Sequence, residues 1–75
     1  MTRLPRVAGA DIVRVLERAG FSIVRQKGSH AFLRNADGRT TVVPLHSGET
    51  IGPGLLSKIM RDAGLNQEQF EALLQ

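Results

Sequence analysis

Two connections of three residues each do most to limit the folds open to this chain. Lys27-Gly28-Ser29 and Ala36-Asp37-Gly38 separate three short runs rich in β-forming residues, Phe21–Gln26, His30–Asn35 and Thr40–Val43. Connections this short cannot carry the crossover that parallel strands need, so the runs must be consecutive antiparallel strands. Asp37-Gly38 is the stronger of the two turn signals, and Pro44 closes the third strand.

The flanking segments change period. From Ala10, the apolar residues Ile12, Val15, Leu16 and Ala19 recur at i, i+3, i+4 and i+7, the stripe of an amphipathic helix, and Gly20 stands where a left-handed cap ends one. A loop over Leu45–Gly54 leads to a second stripe of Leu55, Leu56, Ile59, Met60 and Ala63, stopped by Gly64. Gly52-Pro53-Gly54 reads as a tight lead into that helix. Asn66 and Gln69 form a capping-box pattern ahead of a third, short helix with Phe70, Leu73 and Leu74 on one side. The order is α-β-β-β-α with a terminal helix added, an α+β class in which helices cover one face of a three-stranded antiparallel sheet. At 75 residues the chain is expected to form one domain, residues 1–75, with Met1–Ala8 as a short basic lead-in.

The chain has no cysteine, so neither disulfides nor a thiolate zinc site can support so small a core. No apolar run reaches the roughly 18 residues that span a bilayer, and the N-terminus lacks the apolar stretch of a signal peptide. A cytoplasmic address, with no membrane partner, is therefore expected. The net charge of +3 is uneven: residues 1–39 hold eight Lys/Arg against three Asp/Glu, and residues 40–75 hold two against four. A basic N-terminal half attracts polyanions, although scattered cations also serve simply to keep a small domain soluble.

The residues able to do chemistry are few. His30 and His46 are the only histidines, and neither lies at a recognised metal-ligand spacing, so neither a metal nor a cofactor is expected. Ser29 and His30 are adjacent, which in an extended strand turns their side chains apart and rules out a Ser–His dyad. No nucleotide-gripping P-loop is present. What remains is proton transfer by imidazole, a group that exchanges a proton near neutral pH. RNA suits it, because RNA carries its own nucleophile in the 2′-hydroxyl. Arg25 and Lys27, just upstream of His30, are candidate phosphate clamps. The plainer alternative for His30 is a strand histidine satisfied by a hydrogen bond. His46 is a secondary candidate for a second proton-transfer group, since nothing in the sequence places the two rings together. Strand parity puts His30, Phe32 and Arg34 on one face and Ala31 and Leu33 on the other, without saying which faces the helices. Phe32 is assigned to the core or to a partner-covered surface in preference to a base-stacking platform.

Four stretches in order, Gly20-Phe21, Arg25-Gln26-Lys27-Gly28-Ser29-His30, Val42-Val43-Pro44-Leu45-His46-Ser47-Gly48 and Ile59-Met60-Arg61-Asp62-Ala63-Gly64-Leu65, resemble the HicA toxin family, also called YcfA-like. The resemblance runs from about Val7 to Leu74. It implies a fold like the double-stranded-RNA-binding domain, and an mRNA interferase: a metal-independent endoribonuclease that blocks translation and growth until a HicB antitoxin covers the His30 face. The family's catalytic histidine falls on His30, and Gly28 and Ser29 match the flanking motif, joining Arg25 and Lys27 as expected RNA-binding residues. The start of the first helix departs from the family, with Val7-Ala8-Gly9-Ala10 offering no polar cap. The competing expectation is a non-catalytic RNA-binding or protein-interaction module of the same fold. A DNA-binding regulator is a weaker one, as no helix-turn-helix signature is present.

Overall fold

The computed structural model describes residues 6–75; most of the expected basic lead-in, Met1 to Pro5, lies outside them. In chain order the elements are β1 (Val7–Ala8), α1 (Gly9–Arg18), β2 (Phe21–Lys27), β3 (His30–Asn35), β4 (Thr40–Pro44), β5 (Thr50–Ile51), α2 (Pro53–Ala63) and α3 (Gln67–Leu74). The three-stranded sheet has the order β2-β3-β4, antiparallel throughout. This is the expected α+β architecture, including the short C-terminal helix, and it is consistent with a fold like the double-stranded-RNA-binding domain. Among the described residues no helix is long and apolar enough to cross a membrane.

The sheet is covered on one face. Ala31, Leu33 and Asn35 of β3 and Thr41 and Val43 of β4 are buried against α1 and α2, with Ile12, Val15, Leu16, Leu56, Ile59 and Phe70 filling the space between. Alternation along β3 and β4 therefore leaves the opposite face open, as the period-2 geometry of strands requires. Both hairpins form. Asn35 donates its amide to the Arg39 carbonyl and accepts from Gly38 across the loop Ala36-Asp37-Gly38, with Gly38 at φ +97°. A three-residue loop with its last residue left-handed is a common hairpin solution.

One pairing was not readable in the sequence. Val7 and Ala8 pair with Ile51 and Thr50, so the chain just before α1 and the loop before α2 are tied into a two-stranded ribbon. Strands of two residues are too short to show a periodicity. The weak cap of α1 is also resolved by structure: Ala8 stands at the N-cap, where it has no side-chain acceptor, and Asp11 compensates by accepting the Ala8 amide at 3.3 Å. This is half of a capping box, worth less than the full device. The other half-empty end is α3, whose C-terminal carbonyls at Leu73 and Gln75 each accept from Arg18 at 2.6 Å, while Asn66 and Gln69 complete the expected capping box at its start.

Gly9, the first residue of α1, is buried against the end of β4. A Cβ there would run into the backbone carbonyl of Pro44, an atom that cannot swing aside. Gly9→Ala is expected to cost about 1–3 kcal/mol of folding stability through overpacking, read as a lowered denaturant midpoint; an unchanged midpoint would refute the close approach.

Two carboxylates respond to acid. A side-chain hydrogen bond from Arg39 holds the Asp37 carboxyl below its ordinary pKa, and hydrogen bonds from Lys58 and the buried Thr41 do the same for Asp62. A carboxyl whose pKa is lower in the folded state adds stability above its unfolded pKa and loses it as pH falls through the folded one. Stability should therefore decline below about pH 4. Asp62→Asn is expected to lose about 0.5–1.5 kcal/mol at pH 7 and to show a shallower acid limb, measured by urea unfolding from pH 2 to 7.

Candidate active site

The open face of the sheet is built from three rows of cross-strand neighbours. Ser22, Arg34 and Thr40 form one row; Arg25, Phe32 and Val42 the next; Lys27, His30 and Pro44 the last. It carries three cations and no carboxylate among these nine residues.

Two of the cations reach this face only through an irregularity. Phe21 is buried with Asn35, and Ile23 pairs with the buried Leu33, so simple alternation would send Arg25 and Lys27 to the helix side as well. The register shifts between Ile23 and Arg25, which makes Val24 an extra, bulged residue, 61% exposed. Beyond the bulge, Arg25 pairs with Phe32 and Lys27 with His30. Re-aiming side chains in this way is a recurrent use of β-bulges beside functional sites. The Arg25 guanidinium carbon lies 5.8 Å from the centre of the Phe32 ring, within cation–π range.

Phe32 is thus not a core residue. It is half-buried on the open face because Ala31, Leu33 and Asn35 occupy the sheet face that the helices cover.

His30 is the first residue of β3, exposed at the end of a two-residue hairpin loop, Gly28-Ser29. Strand β2 runs one residue further than expected, through Lys27, which tightens this loop. Gly28 has φ +58°, while Ser29 does not share a positive φ. A left-handed first position alone is the pattern of a type II′ turn, which favours glycine there. A Cβ on Gly28 would meet nothing within 4 Å, so glycine is there for its backbone angle and not for a close approach.

The two histidines, unrelated in the sequence, are brought together. His30 pairs with Pro44 across the β3–β4 ladder, and Leu45 donates its amide to the Ser29 carbonyl at 2.5 Å. The chain then turns over His46-Ser47-Gly48-Glu49, closed by the Glu49 amide on the His46 carbonyl at 3.1 Å, with Gly48 at φ +78°. The outcome is an edge-to-face pair of imidazoles, ring centres 6.4 Å apart and planes at 85°. The signal for this lay in the hairpin register: once residue 30 faces residue 44, residue 46 lies just past the end of the ladder. The pair sets two imidazoles, each able to take or give a proton, close enough to act on one small group at their rim. Among the described residues, no group of three or more His, Cys, Asp or Glu side chains gathers as a metal site.

Gly28→Ala is expected to cost about 1–2 kcal/mol, because a side chain must be forced into the left-handed region. It should also displace His30; loss of the His30–His46 cross-peak in an NMR proximity experiment, with the remaining core cross-peaks kept, would show this. An unchanged histidine contact would contradict the role given to the turn.

With this geometry in place, comparison with known proteins gives one assignment. A family model described as the HicA toxin of bacterial toxin–antitoxin systems matches residues 9–65, from the first residue of α1 to just beyond α2. A comparison with curated proteins gives no match.

Proposed function

The chain belongs to the HicA toxin family of bacterial toxin–antitoxin systems, and from that premise we propose that it is an endoribonuclease that cleaves mRNA without a metal ion, with His30 as a catalytic residue. The observation that carries this reading is the edge-to-face pair of His30 and His46 beside a cationic, carboxylate-free sheet face. The family implies an antitoxin partner; a HicB-like protein that covers the open face would shield His30, Phe32 and Val42 together.

The chemistry follows from what the substrate already holds. One imidazole takes the proton of the 2′-hydroxyl as its oxygen bonds to the adjacent phosphorus. The bond from phosphorus to the 5′-oxygen breaks, and the other imidazole gives that oxygen a proton. The products are a 2′,3′-cyclic phosphate and a 5′-hydroxyl. Arg25 and Lys27 offer N–H donors to the non-bridging oxygens, where negative charge grows in the transition state. Gly28 and Ser29 hold the strand start at the scissile linkage, Ser29 through the carbonyl that anchors Leu45. Each positioned proton-transfer group contributes on the order of 10²–10⁴ in rate.

His30→Ala is expected to lower RNA cleavage by roughly 10²–10⁴ and to abolish growth arrest, while the protein still folds and binds RNA. His46→Ala should lower cleavage less than or as much as His30→Ala. A substrate whose leaving 5′-oxygen is replaced by sulfur, a far better leaving group, assigns the roles. It should restore cleavage to whichever variant has lost the acid and leave the other slow. Rescue of neither variant would overturn the division of labour, and full toxicity of His30→Ala would overturn the enzyme in favour of an RNA-binding or protein-interaction module.

A further inference from the structure

Beside His46 the surface opens into a groove of about 230 Å³ whose lining does not include His30. Pro44, Ile51 and Leu55 supply apolar walls, His46 closes one side, and Glu49 stands in the lining as its one carboxylate. We propose that this groove is a nucleobase subsite that selects guanine next to the scissile linkage; the inference rests on the ribonuclease reading of the His30–His46 pair.

Size comes first. Sites for drug-sized ligands occupy roughly 300–1,000 Å³, so this groove admits one ring system and not a stretch of chain. Its walls suit the flat face of a base. Leu55 is a large apolar residue left 40% exposed at the start of α2, and Gly52, at the N-cap of that helix, leaves bare backbone in the lining.

Charge then separates backbone from base. Arg25, Lys27 and Arg34 lie on the open face of the sheet, where phosphates are drawn. A carboxylate in the groove repels phosphate, so the groove takes the uncharged part of a nucleotide. Among the described residues, Glu49 takes part in none of the ion pairs, which join Arg14 to Asp11, Arg39 to Asp37 and Lys58 to Asp62. An ionised carboxylate only accepts hydrogen bonds, through two adjacent oxygens. Guanine alone presents two adjacent N–H donors on its pairing edge. Adenine and cytosine place an acceptor nitrogen beside their amino group, and uracil flanks its one N–H with two carbonyls. Sequence-selective RNA recognition generally reads splayed, single-stranded bases on such edges.

Continuity places the subsite on the substrate track. His46 belongs both to the groove lining and to the imidazole pair, 6.4 Å from His30 between ring centres. A base held in the groove therefore belongs to a nucleotide adjoining the scissile phosphate.

The test uses the full chain and a set of short single-stranded RNAs that differ only in the bases flanking one linkage. A 2′-deoxy substitution at that linkage removes the nucleophile, so binding is read without cleavage by fluorescence anisotropy. RNA with guanine at one flanking position is expected to bind roughly tenfold more tightly than its adenine, cytosine and uracil counterparts. Glu49→Gln, which keeps the shape and removes the charge, should bring the four within about twofold. Equal affinities in the parent protein would overturn the proposal, as would a guanine preference that survives Glu49→Gln. Free guanosine monophosphate is included as competitor. Displacement of RNA by low concentrations of the mononucleotide, with no preference among the RNAs, would make the groove a nucleotide site apart from the RNA track and overturn the assignment. Because the readout is binding, it stands apart from catalysis: an RNA-cleaving protein without guanine preference loses only the subsite, and a guanine-selective protein that does not cleave loses only the ribonuclease reading.

Discussion

The register of β3 between its two neighbours is the constraint on which the molecule depends. Ala31 and Leu33 reach the helices only in the observed alignment, and a slip of one residue would exchange them for His30 and Phe32. The burial of Leu33 thus fixes two things at once. It seals the core against α1 and α2, and it turns the histidine, the phenylalanine and Arg34 outward as a set. The same ladder sets Pro44 opposite His30, so the location of His46 follows from packing that lies on the opposite face of the sheet.

That coupling extends to the first helix. The bare backbone of Gly9 lies against the Pro44 carbonyl on one side of the loop that carries His46, and the ribbon of Val7 and Ala8 with Thr50 and Ile51 holds its other side. A segment with no regular structure of its own is therefore held at both ends by the frame. This suits a site whose groups must keep a fixed separation, since loops bear function best when a rigid scaffold positions them.

Much of the frame was legible in the sequence because it rests on local chemistry. Hairpin loops, glycine stops, the Asn66–Gln69 capping box and the two helical stripes each depend on residues a few positions apart. His30 and its turn were legible for the same reason. The site around it was only partly so. Arg25 and Lys27 stand out in the sequence only by nearness to His30, yet alternation from Phe21 would bury them; the bulge at Val24 that exposes them has no local marker, such as a glycine, to announce it. The pairing of His30 with His46 required the strand register first, and the β1–β5 ribbon is two residues long. Phe32 was open by pattern, because each face of β3 offers one large apolar side chain, and the helices chose Leu33.

The bulge at Val24 has a second effect, on how copies of the protein behave toward one another. Strand β2 is an outer strand of the sheet, seven residues long, with Ile23 and Val24 exposed upon it. A regular strand of that kind is a template on which another chain can add itself, copy upon copy, into insoluble stacks. An extra residue in mid-strand breaks the even spacing of free amides and carbonyls that such stacking copies, and the cations it turns outward repel their equals on a neighbouring molecule. The distortion that equips one face of the sheet thereby keeps its margin from becoming a seam for aggregation.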